Sequence, residues 1–184
     1  MKKQTPDGPL SGIRVLDMSR ILAGPSCAQM LGDMGADVIK IERPGSGDDT
    51  RDWGPPYLRD AQGQDTSESA YYLCTNRNKR SLVVDIAREE GQDLIRQLSS
   101  RADVLVENFK VGGLDKFGLD YGSLHGLCPD LIYCSITGFG QTGPYSNRPG
   151  FASVGEAMGG LRYINGFPDQ PPPRTGISLG DSLA

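Results

Sequence analysis

Residues 9–53 constrain the fold more than any other part of the chain. An apolar stretch at 13–17 ends in a polar turn, and an Ala-Gly-Pro corner follows. Residues 24–35 are typical of a short helix, with Pro25 in its first turn. A second apolar stretch at 36–42 leads into a glycine-rich loop. Strand, helix and strand in this order predict a βαβ unit, in which a crossover helix joins two parallel strands.

The same alternation continues through the next ninety residues. Further strands are predicted at 81–85, 104–106 and 131–136, and further helices at 89–100 and 120–126. Residues 44–69 are rich in Pro, Gly, Asp and Ser and are expected to form a long loop. A small-residue helix is predicted at 154–161, and a last helix begins near residue 180. The pattern predicts an α/β fold with a doubly wound, mostly parallel, Rossmann-like sheet.

Charge and composition exclude several classes of function. The net charge is −4, so no electrostatic feature favours a nucleic-acid partner. No apolar run approaches the roughly 18 residues of a membrane span. The first eight residues lack the apolar segment of a secretory signal, so a cytoplasmic location is expected. The four cysteines never form a CxxC pair and His125 is the only histidine, so we expect no metal site and reduced, buried thiols.

Asp181, in the segment LGDS, is the candidate catalytic carboxylate. One interpretation is an N-cap, since Asp commonly accepts the first free amides of a helix. The other is a nucleophile, because a carboxylate can attack a thioester when nearby amides stabilise the oxyanion. Gly180 would then permit close approach of the backbone. The two interpretations are compatible.

A set of basic side chains is the candidate phosphate-binding group. Each follows a predicted strand end or lies in a turn, at the edge where open α/β sheets bind ligands. Arginine forks and lysine charges suit the phosphates of a nucleotide-like ligand, although a solvated surface explains single cations equally well. The members are Arg43, Arg77, Lys79, Arg80 and Lys116.

Other common chemistries are disfavoured. Glu42 ends the second strand, where a dinucleotide-binding domain carries its ribose-binding acid, but the turn at 19–25 lacks a G-x-G-x-x-G fingerprint. Cys27 lies near a helix start and is more simply explained as a buried small residue. Because the only histidine, His125, lies in a polar turn, Ser-His-Asp and Cys-His catalysis are not expected. Glu156 and Arg162 are interpreted as part of a solvated helix face.

The motifs together resemble the N-terminal half of the class III CoA-transferases (CaiB/BaiF-like, the formyl-CoA and carnitine CoA-transferase type) over residues 10–184. Residues 48–56 are most similar to members that handle succinyl-CoA and dicarboxylates. The matching segments are RVLDMSRILAGP, GADVIKIERPGSGDDTR, NRNKRSLVVDI, DVLVENF, GLDKFGL, SITGFGQTGP, EAMGGL and GISLGDS.

The resemblance implies a set of site residues. The nucleophilic Asp of the family falls on Asp181. The CoA-binding residues fall on Leu22, Ala23, Arg43, Val84, Asn108 and Lys116. Leu22 stands where some members have Gln, which removes a side-chain hydrogen bond. Lys116 stands where some have Arg, which exchanges a planar fork for a point charge.

The resemblance also implies an activity. CoA would pass from an acyl-CoA donor, such as succinyl-CoA, to a carboxylic acid through an aspartyl anhydride and an aspartyl thioester. No metal and no covalently bound cofactor are implied; acyl-CoA and a free acid are the partners. Residues 1–184 would be the large CoA-binding domain of a truncated chain that lacks the second domain, and the full-length family member would be an interlocked homodimer.

Two alternatives remain open. Related α-methylacyl-CoA racemases use a His–Asp pair, and the position of that His maps to Phe151, which cannot transfer protons. The chain is therefore expected to be a transferase rather than a racemase. The other alternative is a CoA-binding fragment without catalysis.

Overall fold

The secondary structure alternates along the chain in a computed structural model that describes residues 8–184. Residues 1–7, which carry most of the segment examined for a secretory signal, lie outside the described residues. The strands are β1 (Arg14–Asp17), β2 (Asp37–Glu42), β3 (Tyr57–Arg59), β4 (Asp65–Ser69), β5 (Lys79–Val83), β6 (Val104–Glu107) and β7 (Ile132–Ser135). The helices are α1 (Ala23–Asp33), α2 (Ala70–Asn76), α3 (Glu89–Ser99), α4 (Tyr121–Leu127), α5 (Ala152–Met158), α6 (Leu161–Ile164) and α7 (Leu179–Leu183).

Five of the strands form one parallel sheet in the order β5-β2-β1-β6-β7. The chain first builds outward from β1 through β2 to β5 and then crosses to β6 on the other side of β1. The strand order therefore reverses between β1 and β6, which is the point where open α/β sheets leave a crevice for ligands. The predicted doubly wound sheet is confirmed, and this five-stranded sheet is wholly parallel.

Apolar side chains cover both faces of the sheet, as a doubly wound fold requires. The larger cluster joins Leu16 and Leu105 of the sheet to Ile95 of α3 and Leu124 of α4. The smaller cluster lies on the other face, where Ala28 of α1 packs on the sheet. Parallel strands buried on both faces explain why the sequence shows continuous apolar runs instead of alternation.

Several elements differ from the sequence-based expectations. The segment 44–69 contains a 3₁₀ turn at Asp49–Asp52 and an antiparallel β3–β4 hairpin, so it is not a simple loop. The helix α2 was not predicted; Ser69 caps it by accepting a hydrogen bond from the Tyr72 amide. The single helix expected at 154–161 is two helices, because Gly160 adopts φ 81° between them. Strand β5 begins two residues earlier than expected.

The basic set and the cysteines also require corrections. Arg77 and Arg80 lie at the start of β5, at the amino edge of the sheet, and bind Asp33 and Asp37 there. Lys79 is no surface cation, because its ammonium is buried against Asp17 at 2.8 Å. All four cysteines are free, but Cys74 is exposed, so the prediction that all are buried is wrong.

Two buried ion pairs attach the segment after β2 to the sheet. Lys40 Nζ lies 2.8 Å from Asp48 Oδ2, and both side chains are only 1% exposed. Arg51 Nε lies 2.7 Å from Glu42 Oε2, and its Nη2 donates to Glu42 Oε1 at 2.8 Å. Buried charges are tolerated only when they are paired and hydrogen-bonded, so the position of this segment depends on these contacts.

Removing one partner of the Lys40–Asp48 pair should be strongly destabilising. Asp48→Ala leaves the Lys40 ammonium buried without its counter-ion, and we expect a loss of about 3–5 kcal/mol in the free energy of unfolding. Asp65→Ala is the matched control, because its ion pair with Arg59 is exposed and is worth about 0–1 kcal/mol. Urea unfolding measures both; equal losses would contradict the role of the buried pair.

The Glu42 network predicts a pH dependence of stability. Although burial alone opposes ionisation, hydrogen bonds from Arg51 and Ser81 and the Asp48 amide lower the pKa of Glu42 from 4.5 to about 2. A lowered folded-state pKa stabilises the fold fully above pH 4.5, and that stability is lost as the pH falls towards 2. Wild type should therefore exceed Glu42→Gln by on the order of 3 kcal/mol near pH 7, with the difference vanishing near pH 2.

Glu90→Gln provides the control for this pH series. Glu90 is an exposed residue in the first turn of α3, where a carboxylate contributes about 0.3–1 kcal/mol through the helix dipole. Urea midpoints between pH 2 and pH 7 distinguish the two variants. A gap between wild type and Glu42→Gln that does not change with pH would disprove the linkage.

Candidate active site at the carboxyl edge of the sheet

The first turn, residues 18–22 between β1 and α1, is held by hydrogen bonds to its backbone. Asn108, which follows β6, accepts the Arg20 amide proton on Oδ1 at 2.8 Å and donates from Nδ2 to the Arg20 carbonyl at 2.7 Å. Lys40 donates to the Ser19 carbonyl at 3.0 Å. The Asn108 contacts join the ends of β1 and β6 at the point where the strand order reverses, and the Lys40 contact attaches β2 to the same turn.

Ile21 is strained within this turn. Its φ is 71°, a left-handed conformation that is unusual for a β-branched residue. Its amide faces both carboxylate oxygens of Asp48, at 3.3 and 3.4 Å. Gly24 allows the turn to close, because a Cβ there would overlap the Ser19 side chain. Such strain persists only where surrounding contacts maintain it and is concentrated at functional sites.

Three of the predicted CoA-binding residues meet here. Leu22 and Ala23 are half-buried where α1 begins, and Asn108 closes the turn from the neighbouring strand. Because the oxygen and the nitrogen of the Asn108 side-chain amide both bind the backbone of Arg20, Asn108 holds the first turn in place. The family resemblance assigned Asn108 to CoA binding and did not indicate its hydrogen bonds to Arg20.

The other three predicted residues are placed differently. Arg43 is exposed and forms an ion pair with Asp49. Asp49 Oδ2 also lies 3.2 Å from Arg20 Nη1, so Arg43 borders the first turn. Val84 is buried in the core, so its side chain is not available to a ligand. Lys116 is exposed on a 3₁₀ turn and lies over the Phe117 ring at 4.7 Å.

Asp181 lies inside α7 and does not cap it. Ser178 occupies the N-cap position, so the N-cap interpretation of Asp181 is wrong. The helix packs against both α1 and α5. Burial raises the pKa of Asp181 above its ordinary value; the Glu156 carboxylate raises it further, and Arg174 opposes the shift. The Asp181 carboxylate is therefore half-buried on a helix that packs against α1, the helix that follows the first turn.

Sequence reasoning missed two residues near Asp181. Glu156, expected on a solvated face, is 4% exposed and accepts a hydrogen bond from the Gly180 amide at 3.2 Å. Tyr71 of α2 stacks edge-to-face with Trp53 at 5.2 Å between ring centroids. Burial raises the pKa of Tyr71, and the nearby Asp181 carboxylate adds to the shift. Only the small residues around Glu156 hinted at close packing there.

The remaining candidates have structural roles. Glu42 is bound by Arg51, Tyr72 and Ser81, which leaves no free acid for a ribose. Burial raises the pKa of the Cys27 thiol, which keeps it protonated. His125 is exposed and stacks on Tyr121.

Residues 8–184 contain neither a candidate metal site nor a candidate membrane span. Among these residues no group of three or more His, Cys, Asp or Glu side chains is arranged to hold a metal ion. In the same part of the chain, every helix is too short or too polar to cross a bilayer.

Comparison with known proteins gives consistent matches. Residues 10–184 match the model of CoA-transferase family III. The chain is 56% identical over 173 residues to a succinate–glutarate CoA-transferase of Agrobacterium fabrum, covering 94% of this chain and 43% of that protein. It is 47% identical over 184 residues to a succinyl-CoA–D-citramalate CoA-transferase of Chloroflexus aurantiacus, covering 100% of this chain and 44% of that protein.

A solved structure agrees with these matches. The crystal structure of a CaiB/BaiF family protein from Brucella suis superposes with a TM-score of 0.90 at 50% identity, over 96% of this chain and 47% of that one. The chain thus spans less than half the length of these relatives. The resemblance inferred from the motifs is confirmed, because the match includes both the first turn and the segment around Asp181. The chain belongs to CoA-transferase family III.

Proposed function

We propose that this chain is the CoA-binding domain of an enzyme that transfers CoA from succinyl-CoA to a second dicarboxylic acid. The relatives named above are CoA-transferases for succinate, glutarate and D-citramalate. The observation that carries the proposal is the packing of α7, with Asp181, against α1. The helix that carries the carboxylate therefore packs against α1, whose start borders the crevice between β1 and β6.

CoA would occupy this crevice with its phosphates towards basic side chains. Arg43 borders the first turn, and Lys116 follows β6 on the other side of the crevice. The chain around Leu22 and Ala23 would contact the pantetheine arm through its backbone and apolar side chains. Val84 would contribute through its main chain, since its side chain is in the core.

Asp181 would act as the nucleophile. Its carboxylate attacks the thioester carbonyl of succinyl-CoA, forming a mixed anhydride and releasing CoA thiolate. The thiolate attacks the aspartyl carbonyl, giving an aspartyl-CoA thioester and free succinate. The acceptor carboxylate then attacks the aspartyl thioester, which forms a second mixed anhydride and releases CoA thiolate again. This thiolate attacks the acceptor's carbonyl in that anhydride, which gives the acceptor's CoA thioester and regenerates the Asp181 carboxylate. Burial suits this role, because a poorly hydrated carboxylate is a stronger base.

The proposal includes three properties of the full-length protein. The protein needs no metal or cofactor besides its CoA substrates, functions in the cytoplasm and is a homodimer. The dimer is supported by exposed apolar side chains after residue 150, since such patches mark interaction sites. These are Phe151, Met158, Tyr163, Ile164, Phe167, Ile177 and Leu183, each at least 60% exposed.

A test of the nucleophile uses the full-length protein. Asp181→Asn preserves shape but removes the attacking charge, so CoA transfer should fall by at least about 10³-fold. Asp130→Asn, in the exposed turn before β7, should retain wild-type turnover. Hydroxylamine added during turnover should convert Asp181 to a hydroxamate detectable by peptide mass. Near-normal turnover of Asp181→Asn, or labelling of another carboxylate, would contradict the assignment of Asp181 as the nucleophile.

A second test concerns the crevice. Asn108→Ala removes both hydrogen bonds to Arg20, each worth about 0.5–1.5 kcal/mol, so the first turn loses its attachment to β6. We expect KM for succinyl-CoA to rise about tenfold or more, with a smaller fall in kcat. Gln97→Ala, an exposed amide on α3, is the control. An unchanged KM for Asn108→Ala would argue against CoA binding beside this turn.

A further inference from the structure

Glu156 forms a contact that positions the first turn of α7. Its Oε1 accepts the Gly180 amide proton at 3.2 Å, and Gly180 directly precedes Asp181. The first amides of a helix have no partner within the helix, and Ser178 provides no side-chain cap here. The Glu156 carboxylate of α5 therefore caps the start of α7, although it belongs to a different helix.

The same two helices meet at their backbones. A Cβ added to Gly180 would lie 3.0 Å from both the Cα and the carbonyl oxygen of Ala152, tighter than ordinary side-chain contacts. This backbone contact, at Ala152, and the Glu156 hydrogen bond lie one turn apart on the same face of α5. Together they determine where α7, and with it Asp181, lies relative to α5.

The charge of Glu156 is only loosely compensated. Its side chain is 1% exposed, and Arg162 Nε lies 3.9 Å from Oε2. Within residues 8–184, neither Glu156 Oε2 nor Arg162 Nε has a hydrogen-bond partner. A buried carboxylate with one distant counter-ion is costly to the fold, and such arrangements are found preferentially at functional sites.

The groups around Asp181 leave Glu156 as its principal charged neighbour on α5. Burial is the largest cause of the raised pKa of Asp181, Glu156 the second, and Arg174 opposes them. Tyr71 of α2 also faces Asp181. On α1, which packs against α7 too, the ionisable residues are Cys27 and Asp33, and Asp33 is bound by Arg77 and Asn78.

We propose that Glu156 is a positioning residue for Asp181, acting through the Gly180 amide and through a negative charge held beside the reacting carboxylate. This inference rests on the proposed function, in which Asp181 attacks the thioester. The hydrogen bond orients the attacking group. The charge makes the Asp181 carboxylate more basic and therefore more reactive once it is deprotonated.

Replacement by Gln separates the two effects. Glu156→Gln keeps an oxygen for the Gly180 amide but removes the charge, so the pKa of Asp181 should fall. Because the carboxylate is the reactive form, the acid limb of the pH profile of kcat/KM should move to lower pH, by about 0.5–1 pH unit. The plateau rate should fall only about three- to tenfold, since a weaker base is a weaker nucleophile.

Replacement by Ala removes both effects. Glu156→Ala leaves the Gly180 amide without its acceptor, and kcat should fall about 30-fold or more, well below the Gln variant. Glu90→Gln, which removes an exposed charge from α3, should leave the profile unchanged. If Glu156→Ala does not fold, the Gln variant alone decides the matter through its pH profile.

The experiment measures kcat/KM for succinyl-CoA from pH 4 upward in the full-length protein, for wild type and for the Glu156, Glu90 and Asp181→Asn variants. A shifted acid limb in Glu156→Gln, with Asp181→Asn inactive, supports the proposal. An inactive Asp181→Asn with a Glu156→Gln limb identical to wild type overturns the role of Glu156 and leaves the proposed function standing. Turnover retained by Asp181→Asn overturns both.

Discussion

The buried ion pair between Lys40 and Asp48 is the interaction on which the carboxyl edge of the sheet depends. Lys40 also donates to the Ser19 carbonyl, and Asp48 also accepts from the amides of Ile21 and Thr50. The pair therefore links β2, the segment after it and the first turn. A pair of apolar residues would avoid the desolvation cost of two charges, but it could not hold the Ile21 backbone in a left-handed conformation.

Other ion pairs at this edge also attach separate elements to one another. Arg51 binds Glu42 and lies over the Tyr72 ring at 3.8 Å, so the 3₁₀ turn and α2 are attached to the end of β2. Lys79 reaches from β5 to Asp17 at the end of β1. Lys79 and Asp17 are 62 residues apart in the chain, and Arg51 and Glu42 are 9 apart. The backbone that borders the crevice is thereby held in one arrangement before any ligand binds.

Much of the fold was predictable from sequence, because the evidence for it is local. The apolar runs identified the parallel strands, and the helix between the first two was marked by Pro25 in its first turn. The sequence-based predictions were wrong where contacts between separate segments determine whether a side chain is buried. Lys79 has the local pattern of a surface cation, and its partner Asp17 comes from β1, which is separated from β5 by β2 in the sheet. Glu156 follows a pattern typical of a solvated helix face, and only the packing of α7 buries it.

The sequence by itself determined the strand and helix alternation, the family and the candidate carboxylate, since periodicity and motifs are properties of neighbouring residues. Tertiary structure decided the surroundings of the candidate site residues. It engages both ends of the Asn108 amide with Arg20, buries Val84, and brings Glu156 to the residue before Asp181. These outcomes depend on desolvation and pairing between segments 24 to 88 residues apart, and no local pattern encodes such contacts.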